Sequence, residues 1–438
     1  MKKVLLIALT AILVVSSAAM ATDTRTASIG SASAFLTDYT DIYFLPSTLI
    51  GYPRWISAEL GTFPASYAYY GSASVTFTNN EEQTWGVIGL DINHDIDGEQ
   101  LFSEDLAYIG GSGLVPLVTP NIPLPTDKFH LFYAKKVANL TAGIHIARAA
   151  GSSTGEFSDS SGYNRSTEFS SGIWNINAGV SLAPMPDVNV DAAFAFQTLS
   201  FAGERSYTQP LPAPGTSGTR KIEADGGSNI MFGARAFYGM SDALKIVPAI
   251  DVNMYSLSYK TSFANSDTMV GTASGGKKSI SDIKAAFGLN YVPVENVTLV
   301  GGLHIGFKST TIEDTMGVFS GTANETKRTI SENILPEFSA AVEARLLKWM
   351  VLRFGASKML TSSTTEAQQK PSVMNETKTK NTTTTAPYAF NFGLGLTFGK
   401  LCIDAKVNDD QPFSLGYLMS GNNVERAPFT QVSATYKF

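Results

Sequence analysis

The stretch most like a ligand site is N-H-D-I-D-G-E-Q-L-F-S-E. Asn93, Asp95 and Asp97 stand at the first, third and fifth places of a calcium loop, Gly98 at the sixth and Glu104 at the twelfth. Oxygen donors at alternate positions, a turn-forming glycine and a closing bidentate glutamate are what calcium needs. Asn93 replaces the usual leading Asp, and Gln100 stands where an apolar residue normally pairs loops. No helical pattern flanks the stretch, and a solvated acidic loop fits the same residues. Calcium is the one ion the chain suggests; no cofactor is expected.

Hydrolytic chemistry finds less support. The chain has four histidines, His94, His130, His145 and His304, none in a Ser- or Asp-bearing catalytic motif. H-E-x-x-H, G-x-S-x-G, P-loop and dinucleotide fingerprints are absent. An enzyme is not expected. A third set of residues shares one parity of alternating segments: Asp191, Asp251, Lys284, His304, Glu343, Arg345, Arg353 and Asp404. Enclosed together, they would either line a hydrated pore whose charges set an eyelet or pair with one another and pack the interior.

The elements that must position these groups read as strands. In Val188 to Phe201, Val188, Val190, Ala192, Phe194 and Phe196 oppose Asn189, Asp191, Ala193, Ala195 and Gln197. Phe338 to Leu346 and Tyr388 to Phe398 alternate the same way. Short connections fall at Val137–Asn139, Pro184–Asp187, Met240–Asp242, Pro293–Asn296, Leu347–Trp349 and Gly399–Lys400, most with tight-turn residues. Long polar stretches fall between them, at 151–165, 203–229, 261–277, 310–333 and 361–385. Short turns on one side and long loops on the other are the asymmetry of transmembrane β-barrels. A charge facing lipid at mid-bilayer costs about 2–4 kcal/mol, so the polar parity must face the lumen. Trp349, Tyr291, Phe398 and Tyr436, near the short turns, suit an interfacial girdle.

Met1 to Ala21 reads as a signal peptide: Lys2 and Lys3, an apolar run from Val4 to Val15, and the small-x-small site Ala19-Met20-Ala21. Mean hydropathy is only +0.03 and pI about 5.4. The net charge of −6 argues against nucleic acid as a partner, and a single cysteine excludes a disulfide framework.

The last segment, Ala427 to Phe438, places Val432, Ala434, Tyr436 and Phe438 on one face. It resembles the terminal strand of bacterial outer-membrane barrels, whose assembly machinery reads the final Phe. The R-T-A-S-I-G to F-L-P-S stretch resembles the opening of FadL-like and PorV-like barrels. Arg25, Gly30, Asp38, Asp41, Phe44 and Pro46 occupy matching places, with Leu45 for the usual Asn and Ser47 for the usual Ala. The resemblance covers about 25 residues and the last strand. It implies fourteen strands, whereas counting segments from Trp55 gives sixteen.

The expected architecture is all-β. It comprises a signal peptide (1–21), a short N-terminal plug (22–51) with Phe35, Phe44 and Pro46 as its contacts, and one antiparallel barrel of 14–16 strands (52–438). A first strand or a disordered leader fits residues 22–51 as well. The expected site is the outer membrane of a Gram-negative-type cell, with membrane lipid and the assembly machinery (through Phe438) as partners. The expected role is passive uptake of small hydrophobic molecules. A structural or secretion-partner barrel of PorV type and a general porin for hydrophilic solutes are the alternatives. The proline-rich apolar stretch Leu114 to Pro125 fits either a docking groove for such a solute or a loop folded back over the barrel mouth.

Overall fold

The computed structural model describes residues 22–63, 68–94, 122–160, 162–208, 217–265, 270–317, 323–371, 376–407 and 429–438. The chain opens with a short helix, α1 (Asp23–Ile29), and three 3₁₀ turns, Gly30–Phe35, Tyr39–Tyr43 and Pro46–Gly51. Four short strands follow: β1 (Trp55–Phe63), β2 (Ala68–Phe77), β3 (Val87–His94) and β4 (Asp127–Val137). The next five are long: β5 (Leu140–Ser158), β6 (Asn164–Met185), β7 (Val188–Thr208), β8 (Ser217–Gly239) and β9 (Leu244–Asn265). So are β10 (Val270–Val294), β11 (Val297–Gly317), β12 (Ala323–Leu347) and β13 (Met350–Pro371). The chain ends with β14 (Thr377–Thr385), β15 (Tyr388–Phe398), β16 (Leu401–Val407) and β17 (Phe429–Lys437).

Each strand pairs antiparallel with its sequence neighbour, except β14 and β15, which both pair with β13, and β17 returns to β1 in the register Trp55↔Lys437 to Gly61↔Gln431. The sheet is therefore a closed barrel. β14 and β15 pair with the upper and lower parts of β13 and form one crossing broken at Ala386–Pro387. That makes sixteen crossings rather than the fourteen the family resemblance implies. Closure removes the unpaired edge that hydrocarbon would punish by several kcal/mol per orphan group. Among the described residues no helix is long and apolar enough to cross a membrane; the strands do so.

Side chains sort by parity as the alternation requires. On β7, Phe194 and Phe196 are exposed while Ala193 and Ala195 are buried; on β12, Phe338 is 56% exposed and Ser339 6%. Trp349 and Phe398 stack at the short-turn end, 6.5 Å between centroids, on the lipid face. Tyr291, Tyr436 and Phe438 are exposed at the same end.

The described parts of the long polar stretches are mostly strand, not loop, contrary to expectation. β5 to β13 run 19 to 25 residues, about twice what a bilayer crossing needs. Their polar outer halves stay paired, as in Thr364↔Thr382 and Glu366↔Lys380. Above the membrane the outward face needs no apolar residues, so the strict alternation weakens while the backbone ladder continues.

Candidate functional site

Residues 22–51 lie inside this barrel, against its lumen face. Local sequence fixes their path. The Thr22 hydroxyl caps α1 by accepting from Arg25 N at 3.3 Å, and Gly30, at φ +70°, ends it. Asp38 and Asp41 form a capping box on the second 3₁₀ turn. Pro46 opens the third. Tyr52 still packs with the inner segment, and β1 begins at Trp55.

Glycines on the wall make room for the segment. Phe35 (0% exposed) lies against Gly288 and Gly302, Phe44 against Gly233, and Pro46 against Gly143 and Gly179. A Cβ at Gly179 would stand 2.8 Å from Pro46 Cδ. Phe35 also stacks on His304, 4.9 Å between centroids. Two apolar clusters complete the seat: Phe35, Ile29 and Ala32 with Val247, Val300 and Ala341, and Tyr39, Ile42, Leu49 and Tyr52 with Val87 and Phe132. Replacing Gly302 by Val is expected to displace Phe35 and cost about 1–3 kcal/mol. The same change at Gly301, whose Cβ would meet nothing within 4 Å, is expected to be silent. Thermal melting in detergent micelles compares the two.

Two chains of ion pairs tie the segment to the wall. In the first, Arg25 donates from Nε to Glu343 Oε2 (2.8 Å) and from Nη1 to Asp38 Oδ2 (3.0 Å). Arg353 then donates from Nε to Glu343 Oε2 (2.9 Å) and from Nη1 to Asp404 Oδ1 (2.5 Å). In the second, Arg235 grips Asp41 through Nη1 (3.2 Å) and Nη2 (2.5 Å), and Asp191 through Nε (3.2 Å). Burial works to lower Arg25, but Glu343 and Asp38 outweigh it and hold the guanidinium above its ordinary value. Each arginine of these chains bonds two carboxylates.

A chain of hydrogen bonds runs through Tyr43. Its hydroxyl donates to Asp91 Oδ2 (3.0 Å), and its carbonyl oxygen accepts from His145 Nδ1 (2.9 Å) and Asn177 Nδ2 (2.5 Å). With Nδ1 protonated, His145 Nε2 is the acceptor for His130 Nδ1 at 2.9 Å. Burial first, and then the Asp91 carboxylate, hold the Tyr43 phenol well above its ordinary value, so it remains a donor.

Above this floor is a cavity of ≈ 310 Å³ lined by Tyr43, Phe44, His130, His145, Asn175, Asn177, Gln197, Met231 and Ile173, among others. It is at the small end of ligand-pocket sizes. Higher still, the lumen face turns apolar: Phe169, Ile173, Leu199, Phe201, Ile222, Tyr255, Leu257 and Ile280 form one buried cluster. Ile122 is part of it, Leu124 packs against it, and the Pro123 carbonyl accepts from Ser171. Residues 122–124 thus reach inside the barrel mouth, the folded-back alternative for that loop; residues 114–121 lie outside the described residues.

Of the charges picked from sequence, Asp191, Glu343, Arg353 and Asp404 join the two ion-pair chains. Asp251 faces the lumen beside Gly233, and Lys284 pairs with Asp282 at 3.2 Å. His304 is taken up by Phe35, with Glu337 3.9 Å away. Arg345 is exposed near the short turn and belongs to neither chain. Asn93 lies on β3 and lines the cavity; Asp95, Asp97 and Glu104 lie outside the described residues. Among the described residues no cluster of three or more His, Cys, Asp or Glu could hold a metal. Arg235 was not among the sequence candidates, although parity puts it on the lumen face. The glycine seats were also overlooked; their signal is a repeated lipid-facing Phe followed by a lumen-facing Gly, as in Phe232-Gly233, Phe287-Gly288, Phe354-Gly355 and Phe392-Gly393.

No protein-family model matches the sequence, and no curated protein matches it. Among solved structures the barrel resembles FadL/TodX-type outer-membrane channels at low identity. The Pseudomonas putida toluene transporter TodX is 11% identical, with 94% of this chain and 97% of that one covered and a TM-score of 0.37. A Pseudomonas aeruginosa FadL homologue is 10% identical over 95% and 98%, with a TM-score of 0.39. The Yersinia pestis ferric yersiniabactin receptor FyuA is 9% identical over 88% and 80%, with a TM-score of 0.35. Neither identity nor TM-score is high enough to carry a function from these proteins to this chain.

Proposed function

We propose that the protein is an outer-membrane channel for passive uptake of small, neutral, apolar solutes, with residues 22–51 as its plug. The observation that carries this reading is the apolar upper lumen, from Phe169 to Ile280, leading down to the cavity floored by Tyr43 and Phe44. A channel for hydrophilic solutes keeps a polar, water-filled interior. Here large apolar side chains take the lumen parity instead. The arginines of the lower lumen are already paired, which leaves that network no guanidinium for an anionic solute.

A solute would leave water at the mouth, rest against Leu199 and Phe201, and pass the floor when the plug shifts. Phe35, Phe44 and Pro46 are the contacts that seat the plug. Asp191, Glu343, Arg353 and Asp404 hold it in place. Burying a Leu or Phe against a ligand contributes about 1.5–3 kcal/mol, so Leu199→Asn with Phe201→Asn is expected to cut uptake of a labelled aromatic hydrocarbon roughly tenfold or more. Proteoliposome uptake, with a labelled disaccharide as control, measures it. Equal uptake of both labels by the unaltered protein would reject the reading.

The tightly bonded plug favours a second reading, a closed barrel whose tall strands serve partner proteins of the envelope. That protein would take up neither label and would co-purify with its partners.

A further inference from the structure

The lipid face carries a notch with a lysine above it. Three rungs cross β12, β13 and β15: Phe338–Lys358–Tyr388, Ala340–Ala356–Phe390 and Val342–Phe354–Phe392. All nine side chains have lipid parity. In the middle rung two alanines stand between bulkier neighbours, and the surface sinks into an open groove of ≈ 540 Å³ lined by Phe338, Ala340, Ala356, Lys358, Tyr388 and Phe390. Its upper end coincides with the break between β14 and β15, where Met359 N donates to the Pro387 carbonyl at 3.0 Å.

Lys358 is exposed on this face and, among the described residues, has no ion-pair partner. It lies eight residues above Met350, the periplasmic start of β13. At about 3.3 Å per residue and a tilt near 40°, that is about 20 Å up an apolar band about 25 Å tall. Leu335 and Leu360, still higher, are exposed and apolar. The ammonium therefore sits within the apolar band but can snorkel to the outer headgroup layer. Tyr388, 73% exposed beside it, is an interfacial aromatic at the same level. A lipid-facing cation is costly unless an anion meets it there.

The geometry points to a binding site for a phosphate-bearing lipid: the phosphate meets Lys358, and an acyl chain lies over Ala340 and Ala356 between the rings of Phe338 and Phe390. The occupant is a lipid and not free phosphate, because the cation and the apolar notch form one continuous surface.

The test uses the full chain in phosphatidylcholine bilayers doped with phosphatidic acid bearing a photoreactive diazirine on its acyl chain. Labelling is expected to concentrate on the segments around Phe338–Ala340, Ala356 and Phe390, and to fall severalfold when the probe carries a choline headgroup. Lys358→Ala is expected to reduce it by a similar factor, Lys358→Arg to retain it, and Ala356→Leu, which fills the floor but leaves the charge, to displace it. Even labelling round the barrel, indifference to headgroup, or no change in Lys358→Ala and Ala356→Leu would overturn the proposal.

Discussion

Deleting residues 23–51 is expected to turn a barrel with no resolvable ion conductance into one with the steps of a wide aqueous pore. Sixteen strands enclose a channel unless something fills it, and in the lower lumen this segment is the filling. The wall should survive its loss. Arg353 keeps Glu343 and Asp404, and Arg235 keeps Asp191, so the deletion strands no guanidinium. Seats such as Gly143, Gly233 and Gly302 would then face water. Planar-bilayer recordings of the two proteins give the answer, and unchanged conductance would mean that the segment does not close the pore.

Replacing Arg353 by Met is expected to destabilise the folded barrel by about 3–5 kcal/mol, the usual effect of removing one partner from a buried ion pair. Among the described residues Asp404, 1% exposed, loses its one bonded arginine, and Glu343 keeps Arg25 as its bonded arginine. Adding Asp404→Leu should recover part of the loss, because the orphaned charge is then gone. The same change at exposed Arg345 is expected to stay within about 0.5 kcal/mol. Urea unfolding in micelles, followed by the mobility difference between folded and unfolded barrel, distinguishes the three variants.

Strand parity was readable because one face had to meet hydrocarbon. Val188 to Phe201 and Phe338 to Leu346 alternate for that reason, and their polar members do face inward. The upper halves of β5 to β14 were unreadable as strands for the converse reason. The T-K-T-K-N-T-T-T-T of β14 has no apolar face, and only its pairing with β13 keeps it extended. The charges were visible singly but not in their partnerships. Arg353 and Asp404 stand 51 positions apart, and Arg235 meets Asp41 194 positions away. Nothing in local spacing encodes such pairs; they follow from closing the barrel round the segment. The seats of Phe35 at Gly288 and Phe44 at Gly233 were within reach, since the Phe-Gly step recurs on four strands, whereas those of Pro46, Gly143 and Gly179, follow alanines.

The central claim is that a solute passes only when the N-terminal segment moves. Ser47 and Ser181 bring segment and wall together, Oγ to Oγ 2.9 Å, which makes the two positions the pair for a cysteine cross-link, its formation checked by counting free thiols. With Cys402 changed to Ser, the Ser47→Cys/Ser181→Cys protein should take up a labelled aromatic hydrocarbon when reduced and lose that uptake when oxidised. Uptake that stays equal in both states after the bond has formed would contradict the account.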